Sequence, residues 1–118
     1  MSITDINKTL AEMPALIAKT SEQAEESRFL WQESKVRLKQ QEAKIYLQTK
    51  AQEPDAKVGE LDALVNASQE LYEQRLAVVS HESEYRKLDA QITAYSEALM
   101  SAKCMAKLKL GEMASMPE

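Results

Sequence analysis

Apolar residues in the C-terminal half of the chain recur as they do on a helix that buries one narrow face. Tyr85, Leu88, Ile92, Tyr95, Leu99, Ala102 and Ala106 follow one another at alternating steps of three and four. A repeat of about 3.5 residues is that of a coiled coil or helix bundle, because it keeps one stripe turned toward a neighbouring helix. Weaker members continue the repeat upstream: Leu61, Leu64 or Val65, Ser68, Leu71 or Tyr72, Arg75 or Leu76, Val79 and Glu82. No Gly or Pro interrupts Glu60 to Leu110, and Gly111 supplies a natural stop, so a second long helix is predicted over 60–111. Asn66-Ala67-Ser68 carry side chains that compete with helical hydrogen bonds. One helix or two shorter ones fit this stretch equally.

The N-terminal half is patterned more faintly. Ala24, Ser27, Trp31, Ser34, Leu38, Gln41, Ile45 and Gln48 keep the same alternation with only three large apolar members. Ser2 or Thr4 can cap a short helix over 1–13. Pro14 suits the first turn of a new helix, which makes Met13-Pro14 a joint and predicts a first long helix over 14–52, roughly 55–60 Å long. Glu53 to Gly59 combines Pro54 and Gly59, and Pro54 disfavours helical geometry at Glu53, so the chain turns over 53–59. Residues 112–118 form a tail.

The predicted fold is all-α: a long antiparallel helical hairpin with a coiled-coil-like seam, preceded by a short N-terminal helix. Composition agrees, with 44% hydrophobic residues but only 5% aromatic, two Gly and three Pro in 118 residues. That is too few turn residues for a β-fold and too few large side chains for a thick core. Two helices leave part of such a seam wet, and the seam over Tyr85, Leu88, Ile92, Tyr95, Leu99, Ala102 and Ala106 is therefore read as an oligomer contact, predicting a homo-oligomer.

Charge sharpens the hairpin. Residues 28–50 carry six basic and two acidic side chains, and residues 53–84 carry two basic and eight acidic ones. Residues 1–27 are acidic and 86–110 basic, so folding about the turn lays opposite signs side by side. Each exposed pair contributes under ~1 kcal/mol, but the alternation specifies pairing direction. The formal net charge of -4 disfavours nonspecific binding to polyanions.

Candidate chemistry is sparse. One Cys and one His cannot build a zinc site or an internal disulfide, and no glycine-rich loop is present to cradle phosphate. His81 reads as a surface or seam histidine, and Cys104 as a buried or half-buried seam residue. Neither points to catalysis, and the carboxylates Glu22, Glu25, Glu26, Glu82 and Glu84 read as solvated helix faces. No enzyme, cofactor, metal or small-molecule substrate is expected, and a cytoplasmic protein is, since neither a leader pattern nor a membrane span is visible. Two stretches could hold a partner. Arg28, Lys35, Arg37, Lys39, Lys44 and Lys50, with Trp31 and Tyr46 interleaved, could follow a nucleic-acid backbone while the aromatics stack on bases. Lys103, Lys107 and Lys109 with Met100, Met105, Met113 and Met116 could form an adaptable docking surface. In the simpler reading the basic run pairs with the acidic segment opposite, and the C-terminal lysines complement the helix dipole.

The run Leu38-Lys39-Gln40-Gln41-Glu42-Ala43-Lys44-Ile45-Tyr46-Leu47, a polar turn, and a longer helix closing with Tyr95-Ser96-Glu97-Ala98-Leu99-Met100-Ser101-Ala102-Lys103-Cys104 and Lys107-Leu108-Lys109-Leu110-Gly111-Glu112-Met113 resemble the phage recombination mediators typified by UvsY. The resemblance spans about residues 25–113 and is one of pattern. It implies a ring-like homo-oligomer that binds single-stranded DNA and helps load a recombinase onto DNA covered by single-strand-binding protein, in the host cytoplasm. It would place DNA contacts at Lys35, Arg37, Lys39 and Lys44 and at Lys103, Lys107 and Lys109, to which the basic run adds Arg28. The family sets an aromatic pair followed by Gly before its turn, whereas here Leu47 follows Tyr46 and the next glycine is Gly59. A coiled-coil adaptor, chaperone or assembly scaffold holding a helical protein client is the competing expectation.

Overall fold

The computed structural model describes residues 2–115, and they are helical almost throughout: α1 spans Ile3–Gln52, α2 Val58–Asn66 and α3 Gln69–Ser115. The all-α class and the antiparallel pairing of the first long helix with the last are as the sequence predicts. The chain forms two compact units. One takes the residues up to Glu25 with those from Arg86 onward; the other runs from Glu26 to Tyr85.

Helix α1 opens on Ser2. Its hydroxyl accepts the Asp5 backbone N–H at 3.1 Å and donates to the Asp5 carboxylate at 2.8 Å, while the Ser2 backbone N–H donates to the same carboxylate at 3.3 Å. This reciprocal cap satisfies amides that have no partner within the helix. The Ser2 hydroxyl, and after it the Ser2 amide, hold the Asp5 carboxyl below the ordinary aspartate value of 3.8. The cap is therefore complete above that value and is lost as pH falls through the lower folded one.

The joint expected at Met13-Pro14 does not form, and no separate short helix precedes α1. Proline removes one backbone donor and crowds the preceding turn, but Pro14 is itself exposed while Leu10, Met13, Leu16 and Ile17 around it are half-buried. Packing of these residues before and after Pro14 carries the helix past the defect. In this first unit Ile6, Thr20, Ala24, Leu88 and Ala102 are buried, and Thr20 donates its hydroxyl to the Leu16 carbonyl at 2.8 Å.

The second unit is a helical hairpin closed by the Glu53–Lys57 connection, slightly shorter than the 53–59 turn that the sequence suggests. The Glu53 amide extends α1 onto the Thr49 carbonyl, and the Ala56 amide donates to the Glu53 carbonyl. Of the two readings left open for 60–111, the structure takes the broken one. Helix α2 ends where the Ala67 amide donates to the Ala63 carbonyl and the Ser68 amide to the Val65 carbonyl. Arg75 then ties the break by donating to the Asn66 side-chain oxygen at 2.9 Å. Ile45, Val65 and Leu71 make a small core against which Leu38 and Tyr46 pack.

Two further expectations are corrected. Gly111 does not stop α3, which continues to Ser115; glycine permits a C-terminal turn but does not force one, and a helical glycine costs only about 1 kcal/mol. The upstream seam holds at all but one position. Leu61, Val65 and Leu71 are buried and Ser68, Arg75 and Glu82 half-buried, while the alternatives Leu64, Tyr72 and Leu76 are exposed. The exception is Val79, which is exposed, with Val78 half-buried in its place.

Leu71 has no solvent exposure. Its replacement by Ala should cost about 2–5 kcal/mol, read as a lower urea midpoint. Pro14→Ala should act oppositely, restoring the missing hydrogen bond and raising stability by up to about 3 kcal/mol. A midpoint unchanged by Pro14→Ala would mean that the helix carries no strain at this position.

Candidate nucleic-acid interface

In the second unit the basic residues of α1 fall in two rows. At roughly 100° per residue, Arg28 and Lys39 lie on one flank with Lys35 close to them, and Arg37 and Lys44 lie on the other. The side facing α2 and α3 carries Trp31, Ser34, Leu38, Gln41 and Ile45, all buried or half-buried. The rows therefore border this seam without entering it.

The two aromatic residues of the basic run are engaged within the protein. Trp31 stacks on Tyr85 with ring centroids 5.6 Å apart and planes inclined by 25°, and the Lys35 ammonium sits 4.2 Å from the Trp31 ring centre. Aromatic stacking and a cation over the indole each stabilise by about 0.5–1 kcal/mol. The Ser34 hydroxyl donates to the Trp31 carbonyl at 2.7 Å, which keeps this small residue satisfied where the helices meet. Tyr46 is half-buried against the Ile45–Val65–Leu71 core. Trp31 thus takes the seam position that its spacing predicts, and neither ring is presented for the alternative role of base stacking. Phe29, which that reading passed over because it lies off the seam, is 67% exposed beside Arg28.

The expected charge match between hairpin arms is built only sparingly. Across the arms, Gln41 donates to the Glu70 carboxylate at 2.7 Å and Arg75 pairs with Glu42 at 3.7 Å, the reverse of the predicted sign. Arg37 pairs with Glu33 one turn earlier on its own helix. Arg28, Lys39 and Lys44 are exposed, and among the described residues none of them forms an ion pair. An open groove beside Lys39 is lined also by Glu42, Tyr46, Asp62 and Arg75. Its mixed charge gives it no preference for an anion.

In the first unit, Lys103 and Lys107 are exposed, whereas Lys109 is half-buried and lies 3.8 Å from Glu112. Met100 is exposed and Met105 half-buried; the Met113 side chain and Met116 lie outside the described residues. The seam residues are covered within the single chain: Leu88 and Ala102 are buried, and Tyr85, Ile92, Tyr95, Leu99 and Ala106 half-buried. The stripe read as an oligomer contact is thus largely taken up by the chain's own pairing of α1 with α3. Cys104, expected on the seam, is exposed instead, because it falls between the inward positions Ala102 and Met105. His81 is half-buried. Among the described residues no cluster of His, Cys, Asp or Glu could hold a metal ion, and no helix is long and apolar enough to cross a membrane.

No protein family, curated protein or solved structure matches the chain.

Replacing Trp31 by Ala should lower stability by about 3–5 kcal/mol in a urea melt, since it removes both the Tyr85 stack and the Lys35 contact. A loss below about 1 kcal/mol would mean that the aromatic pair is not part of what holds the hairpin.

Proposed function

We propose that this chain is a non-enzymatic accessory protein of DNA recombination of the phage type, which binds single-stranded DNA as a homo-oligomer and assists loading of a recombinase in the cytoplasm of the host cell. The observation that carries this reading is the separation of charge in the second unit. Arg28, Lys39 and Lys44 stand exposed on α1 without carboxylate partners, while most acids of the unit lie on the connection, α2 and α3. Unneutralised cations on both flanks of α1, Arg28 with Lys39 on one and Lys44 on the other, suit a flexible phosphate backbone that can follow either flank, and each phosphate contact releases counterions. Lys103 and Lys107 offer a second exposed pair. With a net charge of -4 on the whole chain, a single copy would bind weakly. Several copies acting on one strand would raise the effective concentration of each patch.

The competing reading, a scaffold or chaperone for a helical client, needs an open apolar seam. That seam is occupied by α1 itself. The client would have to use the exposed residues Leu64, Tyr72, Leu76 and Val79 instead.

Fluorescence anisotropy of a labelled single-stranded oligonucleotide, titrated at several salt concentrations, tests the proposal. Affinity should fall steeply with salt, and Lys39→Gln with Lys44→Gln should reduce the slope of log affinity against log salt by about 0.7 for each lysine removed. No binding at low ionic strength, or binding indifferent to both substitutions, would refute it.

A further inference from the structure

The second unit carries two exposed apolar stripes of opposite electrostatic character. On α1, Phe29, Val36 and Leu47 are 67%, 56% and 66% exposed. Their spacings of seven and eleven residues are close to whole numbers of turns, so they share one line. Val36 lies two residues from both Ser34 and Leu38 and therefore faces away from the seam. Arg28 and Lys39 rim this line on one side, Arg37 and Lys44 on the other. On α3, Tyr72, Leu76 and Val79 are likewise exposed and follow a four-three spacing. Glu73 and Glu84, eleven residues apart and both exposed, run along one flank of that line.

We infer that copies of this chain associate by seating the basic-rimmed α1 stripe of one copy, centred on Val36, against the acid-flanked α3 stripe of the next, centred on Leu76. Pairing α1 with α1 would set basic rims against each other, and pairing α3 with α3 would oppose acidic flanks; both arrangements are penalised where like charges meet. Joining unlike stripes buries apolar side chains and matches charge together. Such a contact uses a different surface on each copy, so it is heterologous, and it propagates until it closes into a ring or continues as a filament. Because acids flank α3 on one side only, one basic row of α1 suffices to match them and the other stays open. This specifies the oligomeric part of the function proposed above and does not depend on DNA.

The test uses the full chain and one variant on each stripe, Val36→Glu and Leu76→Gln, chosen because all four residue types involved are tolerated on an exposed helix face. Circular dichroism verifies that each variant keeps the wild-type helix content, and sedimentation gives its mass. The wild type should exceed the 13.3 kDa of one chain severalfold, and each variant alone should run as a monomer. Mixed in equal amounts, the two variants should form a species of twice the monomer mass and nothing larger, since together they retain one intact α1 stripe and one intact α3 stripe. A monomeric wild type, a folded variant that keeps the wild-type mass, or a mixture that stays monomeric would overturn the inference. Lys39→Gln and Lys44→Gln made singly separate the two readings: loss of oligonucleotide binding at unchanged mass in one of them marks the open row and leaves the contact standing, and indifference of DNA binding to both removes only the DNA reading.

Discussion

The thinness of the seam between paired helices governs the rest of this molecule. Among the described residues its buried positions are Ile6, Ile45, Leu61, Val65, Leu71 and Leu88, spread along the helices, with the small Thr20, Ala24, Ser34 and Ala102 between them. Small residues let helices approach closely but remove little apolar surface from water. At about 25 cal/mol per Å² buried, stability then rests on a few places where large side chains do meet. The Ile45–Val65–Leu71 core and the Trp31–Tyr85 stack are two such places. Both lie in the second unit, near the break between α2 and α3 and at the opposite end of the hairpin arm respectively.

The same economy explains what lies outside. A helix with a narrow buried face leaves most of its circumference in solvent, and on α1 that circumference holds both apolar and basic residues. Phe29, Val36 and Leu47 stand exposed along one line of that circumference. The flanking cations are not consumed by the hairpin, as the Arg75–Glu42 pair shows by joining the arms with the opposite polarity. On α1 the exposed apolar line and the two basic rows therefore occupy adjacent sectors of one surface.

Much of the fold was legible from periodicity. The α1 seam through Ala24, Ser27, Trp31, Ser34, Leu38, Gln41 and Ile45 is the inward face, and only Gln48 falls outside it, with Thr49 half-buried in its place. Local punctuation was less reliable. Pro54 ended a helix while Pro14 did not, since Glu53–Lys57 had a chain reversal to make and the first unit kept packing residues on both sides of Pro14. Gly111 likewise permitted a stop that α3 did not take. The candidate site was half legible: the exposed cations were visible as a charge run and Trp31 as a seam position, whereas base stacking by Trp31 and Tyr46, the other role that run allowed, is not open to rings that serve the hairpin.

By itself the sequence determined the all-α class, the reversal of the chain near Pro54, and the face that each long helix turns inward, because helical periodicity is written in consecutive side chains. Only the tertiary structure decided that α1 runs unbroken through Pro14, that α2 and α3 separate at Ala67-Ser68, and that Val78 rather than Val79 points toward the arm opposite. Those outcomes depend on how much burial lies on either side of a weak point and on the register that the neighbouring helix imposes. Contacts between residues far apart in the chain set both, and no local pattern records them.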